Sequence, residues 1–112
     1  MDKGKVIVEE IKKVLSNDQL LTEMTLDKFR FADTDQSGEV SIDEFYAAYA
    51  VFLKNLKLPD PTKEDAQKVF QELDVDNSGI LDRNEYKPFV RKMLELMVYR
   101  IENNLLDPND LN

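Results

Sequence analysis

The chain of 112 residues carries 15 basic and 23 acidic side chains, a net charge of -8, and 42% hydrophobic residues, which suits one folded unit with a modest core. It contains no cysteine and no histidine, so disulfides, thiolate nucleophiles, imidazole bases and zinc sites built on sulfur or nitrogen are excluded. The acidic balance disfavours nucleic acid and anionic membrane as partners and suits a multivalent cation or a basic peptide. No apolar run approaches the roughly 18 residues of a membrane span. Residues 1–5 lead into no secretory segment, and Asp2 rather than glycine follows Met1. No intrinsic membrane anchor is therefore expected, and the cytoplasm is the default compartment.

From Lys5 to Ser16, Val6, Ile7, Ile11, Val14 and Leu15 approximate helical spacing, with Glu9, Glu10, Lys12 and Lys13 on the other side. This predicts an amphipathic helix, either packed on the domain or serving as a regulatory arm. Ser16-Asn17-Asp18 breaks the pattern, so residues 1–21 read as a helix and a connector. A second helix is expected to begin between Thr22 and Thr25 and to run to Ala32, burying Leu26 and Phe29.

The next twelve residues, Asp33 to Glu44, place Asp33, Asp35, Ser37, Ser41 and Glu44 at positions 1, 3, 5, 9 and 12, with Gly38 at position 6. A hard cation such as Ca²⁺ takes six to eight oxygens, and a loop bent at a glycine can wrap them around one point. Asp33, Asp35 and Ser37 would supply side-chain oxygens, Glu39 its carbonyl, Ser41 a contact through water, and Glu44 both carboxylate oxygens, which favours Ca²⁺ over Mg²⁺. Taken alone, the stretch could also be a solvated acidic turn. Ser41 and Glu44 also form a capping box for a helix whose inner face is Phe45, Ala48, Tyr49, Phe52, Leu53 and Leu56. That helix is expected to stop at Leu58-Pro59-Asp60-Pro61. Thr62 caps a fourth helix, with Ala66, Val69, Phe70 and Leu73 inward.

The loop pattern then returns from Asp74 to Glu85, 41 residues after the first. Asp74, Asp76, Ser78, the Ile80 carbonyl, Asp82 and Glu85 occupy the ligand positions. A final helix from Arg83 presents Tyr86, Phe89, Val90, Met93, Leu94, Met97, Val98, Ile101 and Leu105 on one stripe. Pro88 falls near its sixth position, where it either bends the helix or is tolerated. Asp107-Pro108 is expected to end it, with residues 107–112 frayed.

Two such loops in a repeated helix–loop–helix unit resemble the calmodulin superfamily of EF-hand proteins over roughly residues 22 to 95. Phe29 and Phe70 before each loop, Val40 and Leu81 at position 8, and Phe45 and Tyr86 after each terminal glutamate extend the likeness. The resemblance implies an all-α fold with a pair of EF-hands over residues 22–106, an extra N-terminal helix and an extended C-terminal one. It also implies a short β contact between the loops at Val40 and Leu81. The chain looks like one lobe of a four-hand calcium-binding protein, similar to those of protists.

Two Ca²⁺ ions are expected, at roughly 10⁻⁷ to 10⁻⁵ M, with the second loop tighter because Asp82 adds a carboxylate. In the absence of calcium, Glu44 and Glu85 are expected to cap their exit helices, leaving that role when calcium draws them into the loops. The expected function is that of a calcium sensor, with a buffer or calcium-stabilised module as the alternative. A sensor would expose an apolar groove to an amphipathic or basic target helix; a buffer or calcium-stabilised module would open little, its groove filled by Val6–Leu15 and Leu96–Leu105. A monomer is expected, although Met93–Leu105 could support a dimer. Catalysis by Asp33 and Asp35 is disfavoured by their place in a ladder of matched ligands.

Overall fold

A computed structural model describes residues 3–107 as α1 (Lys3–Leu15), α2 (Asp18–Ala32), α3 (Ile42–Asn55), α4 (Lys63–Leu73) and α5 (Arg83–Glu102). The fold is all-α, and the only extended pairing among the described residues is the antiparallel bridge between Val40 and Leu81.

The inner stripe of α1 is Gly4, Val8 and Ile11, with Leu15 half-buried, whereas Val6 is 40% exposed. Ile7, Ile11, Val14 and Leu15 thus face the core as expected, and the difference is one residue: Val8, one turn before Ile11, takes the inner place expected of Val6. α1 packs on α2 and α5. It runs antiparallel to α5, because Lys12 Nζ meets Glu102 Oε2 at 3.1 Å while Arg91 Nη1 donates to the Leu15 carbonyl at 3.4 Å.

α2 begins at Asp18, earlier than the expected Thr22–Thr25. Asn17 is the cause: its Oδ1 accepts the Gln19 and Leu20 amides at 3.1 and 3.2 Å, so the residue that ends one helical pattern also caps the next. With this start, Leu21, Thr25, Phe29 and Ala32 face the core, and Leu26 is only half-buried. Thr25 can lie there because its hydroxyl donates to the Leu21 carbonyl at 2.7 Å. Lys87 on α5 donates to Asp18 at 2.6 Å and to Thr22 at 2.9 Å, which ties the start of α2 to α5. Its hydrogen bond and charge hold the Asp18 carboxyl below its ordinary range.

Two helices stop sooner than the prolines require. Lys57 adopts φ 61°, and the amides of Lys57 and Leu58 turn back to the carbonyls of Lys54 and Leu53 at 3.0 and 2.9 Å, so α3 closes after Asn55. At the end of α5, Asn104 adopts φ 58° and the Leu105 amide reaches the Arg100 carbonyl at 2.8 Å. The turn leaves Leu105 exposed and buries Leu106 in its place. Of the expected frayed tail, residues 108–112 lie outside the described residues. α5 passes through Pro88 without interruption, and since Asn84 and Pro88 are both exposed, water can reach the carbonyl that the proline leaves unbonded.

The core joins the two helix–loop–helix units through aromatic rings. Phe45 stacks edge-on with Phe89 at 4.8 Å and with Phe70 at 5.8 Å, and Phe29 meets Tyr86 at 5.7 Å. Tyr86 and Phe45 are fully buried. The Tyr86 hydroxyl has no hydrogen-bond partner among the described residues, and burial pushes its pKa up.

Lys57 carries a Cβ in a conformation that suits glycine. Lys57→Gly should therefore stabilise the fold by ~0.5–1 kcal/mol and raise Tm by about 2–4 °C, as read by thermal unfolding followed by circular dichroism.

Candidate metal centre

Each loop is closed by its first aspartate. α2 ends where the Asp33 amide reaches the Phe29 carbonyl at 2.8 Å, and α4 ends in the same way at Asp74 on Phe70 at 2.9 Å. Both aspartates are buried. Asp33 Oδ1 accepts the Ser37 amide at 3.0 Å and its Oδ2 accepts the Gly38 amide at 2.8 Å. Asp74 repeats this with Ser78 at 3.1 Å and Gly79 at 2.9 Å. The serine hydroxyls turn inward as well: Ser37 Oγ has Asp33 at 3.3 Å and the Glu39 carbonyl at 2.9 Å within reach of its one proton, and Ser78 Oγ has Asp74 at 3.3 Å and the Ile80 carbonyl at 3.0 Å. Side-chain, hydroxyl and main-chain oxygens thus converge within each loop.

The carboxylates join them. Asp33, Asp35 and Glu44 bring one oxygen each within 4.8 Å of the others, and Asp74, Asp76 and Glu85 do the same. Hydrogen bonding to Ser37 holds Asp35 below its ordinary pKa, and Ser78 does so for Asp76, so Asp35 and Asp76 are ionised at neutral pH. Such an array is self-repelling, and its donors are all oxygen, the set that a hard divalent cation takes.

The backbone that brings these groups together relies on left-handed residues. Gly38 and Gly79 have φ 84° and 82°; a Cβ there would meet no atom within 4 Å, so the requirement is conformational rather than one of space. Gln36 and Asn77 also take φ 55° and 54°, a demand that sequence reasoning did not register. Asparagine tolerates this region better than glutamine.

Ser41 and Asp82 lie outside the two carboxylate groups and serve as N-caps. Ser41 Oγ accepts the Glu44 amide at 3.2 Å, and Asp82 Oδ1 the Glu85 amide at 2.8 Å. The return bonds run from the Ser41 amide to Glu44 Oε1 at 3.0 Å and from the Asp82 amide to Glu85 Oε1 at 3.1 Å. In this arrangement capping does not prevent either glutamate from joining its carboxylate group. Each caps with Oε1 and still presents Oε2 to its loop, so the two roles coexist. Glu85 is 7% exposed, and its Oε2 is buried with no hydrogen-bond partner among the described residues. An unpartnered anionic oxygen inside an acidic group fits a bound cation.

A family model described as an EF-hand domain pair matches residues 49–92, and one described as EF hand matches residues 26–47. Calbindin-32 of Drosophila melanogaster is 32% identical over 81% of this chain and 32% of its own length. The probable calcium-binding protein CML34 of Arabidopsis thaliana is 36% identical over 60% of this chain and 47% of its own, and obelin of Obelia geniculata 40% identical over 51% and 27%. The chain thus spans less than half the length of these relatives.

Relieving the strained left-handed position of the first loop gives a direct check of its backbone geometry. Gln36→Asn should raise stability in chelator by ~0.5–1 kcal/mol, measured by urea unfolding, whereas Asn77→Gln should lower it.

Proposed function

Because the chain belongs to the EF-hand calcium-binding proteins of the calmodulin superfamily, with two acidic loops that fit two Ca²⁺ ions, we propose that it is a calcium-stabilised buffering module that opens little when it binds. Asp33, Asp35, Ser37, the Glu39 carbonyl and Glu44 hold one ion, with Ser41 contributing through water. Asp74, Asp76, Ser78, the Ile80 carbonyl and Glu85 hold the other, with Asp82 in the position of Ser41. Calcium neutralises the converging carboxylates and adds about 2.7 kcal/mol per site at a hundredfold excess over Kd. The module acts without catalysis, as a monomer in the cytoplasm, where affinities of roughly 10⁻⁷ to 10⁻⁵ M are useful.

The observation that carries this reading is the position of α1. Val8 and Ile11 are buried in the same core as Met93, Leu94, Val98 and Ile101 of α5, so the apolar face that a target helix would seek is already covered by the chain itself. The alternative is a sensor that exposes a groove to an amphipathic or basic target helix. One feature favours it: between α2 and α3, Phe31 is 60% and Val51 41% exposed beside Phe52, around a hollow of about 270 Å³.

Calorimetry should count two ions per chain, falling to one in Glu44→Gln or Glu85→Gln. A hydrophobic dye should then fluoresce nearly equally in calcium and in chelator. A several-fold calcium-dependent rise, abolished in the double variant, would instead establish the sensor.

A further inference from the structure

The two loops share one hydrogen-bonding plan but differ in what they do with the last glutamate, the ligand counted on for two oxygens. A carboxylate oxygen offers two lone-pair sites. Glu44 Oε2 accepts the Thr34 hydroxyl at 3.2 Å and the Asp35 amide at 3.3 Å, so both of its sites are taken. Glu85 Oε2, at the same place in the second loop, accepts nothing and is buried. Position 2 of the loop accounts for the hydroxyl: it is Thr34 in the first and Val75 in the second, and valine has no donor to offer.

On the reading that both loops hold Ca²⁺, we propose that Thr34 sets the affinity of the first site by engaging Glu44 Oε2, so that the second loop fills before the first. A cation entering the first loop has to displace a hydrogen bond to a charged acceptor before Glu44 becomes bidentate. A cation entering the second finds Glu85 Oε2 desolvated and unpartnered, and removes a cost already present in the fold. The same contact could act in the opposite direction, with the threonine orienting Glu44 for the ion. The sign of one substitution separates the two roles.

The test is calcium calorimetry on the full chain with one site silenced. In the Glu85→Gln background, Thr34→Val should tighten the first site about tenfold, the worth of one hydrogen bond to a charged group, and Thr34→Ser should restore the original affinity. In the Glu44→Gln background, Val75→Thr should weaken the second site. Circular dichroism in chelator checks that each variant folds, and amide NMR shifts of Gly38 and Gly79 during titration report which loop fills first. If Thr34→Val leaves the first site unchanged or weaker, or if Gly38 shifts before Gly79 in the unmodified chain, the proposal is overturned. If the unmodified chain takes up no calcium, it is the calcium-binding reading of the loops that falls.

Discussion

The pair of main-chain hydrogen bonds between Val40 and Leu81, at 2.9 and 2.8 Å, is the contact from which the two halves take their relative positions. Both side chains are fully buried, and α3 and α5 each begin two residues further on. A slip of one residue in this bridge would turn both side chains away from the core. It would also misplace Phe45 and Tyr86, which enter the aromatic cluster directly after Glu44 and Glu85. The bridge therefore couples loop closure to core packing. The carboxylates of either loop cannot spread apart without disturbing rings that lie on the partner unit.

Within that frame the loops are near copies whose differences lie in single side chains. Asp33 and Asp74 bind the same amides, Ser37 and Ser78 the same carbonyl position, and Glu44 and Glu85 cap their helices in the same way. The substitutions that matter are Thr34 against Val75, Gln36 against Asn77 and Ser41 against Asp82. Each leaves the second loop with freer ligand oxygens, a less strained backbone or one more carboxylate. A duplicated scaffold can thus present two unequal sites with no change in its backbone path.

The first helix gives the fold its closed character. α1 alone would have no partner for Val8 and Ile11, and the C-terminal half of α5 extends well past the second loop; lying antiparallel, each buries the other's apolar stripe. The ion pair between Lys12 and Glu102 adds little, since both groups stand about half exposed. Apolar burial therefore holds the strap, and the exposed patch at Phe31 and Val51 lies on another face, between α2 and α3.

Loop positions and most of the exit-helix core could be read from spacing, because a twelve-residue ligand ladder and a 3.6-residue stripe are local patterns, and the fold class followed from the resemblance those loops carry. The start of α2 and the ends of α3 and α5 could not. Asn17, Lys57 and Asn104 act through backbone hydrogen bonds whose partners are set by the path of the chain, and Lys57 is not a residue that announces a left-handed turn. On α1 the choice of Val8 over Val6 was hidden for a related reason: a short helix rich in valine and isoleucine offers more than one stripe, and only α2 and α5 select Val8. The sequence by itself determined that two oxygen-lined loops would form and that a divalent cation suits them, since residue type and spacing carry that chemistry. The tertiary structure alone decided which carboxylate oxygens are free and what covers the apolar face, because both depend on contacts between groups that spacing along the chain does not relate.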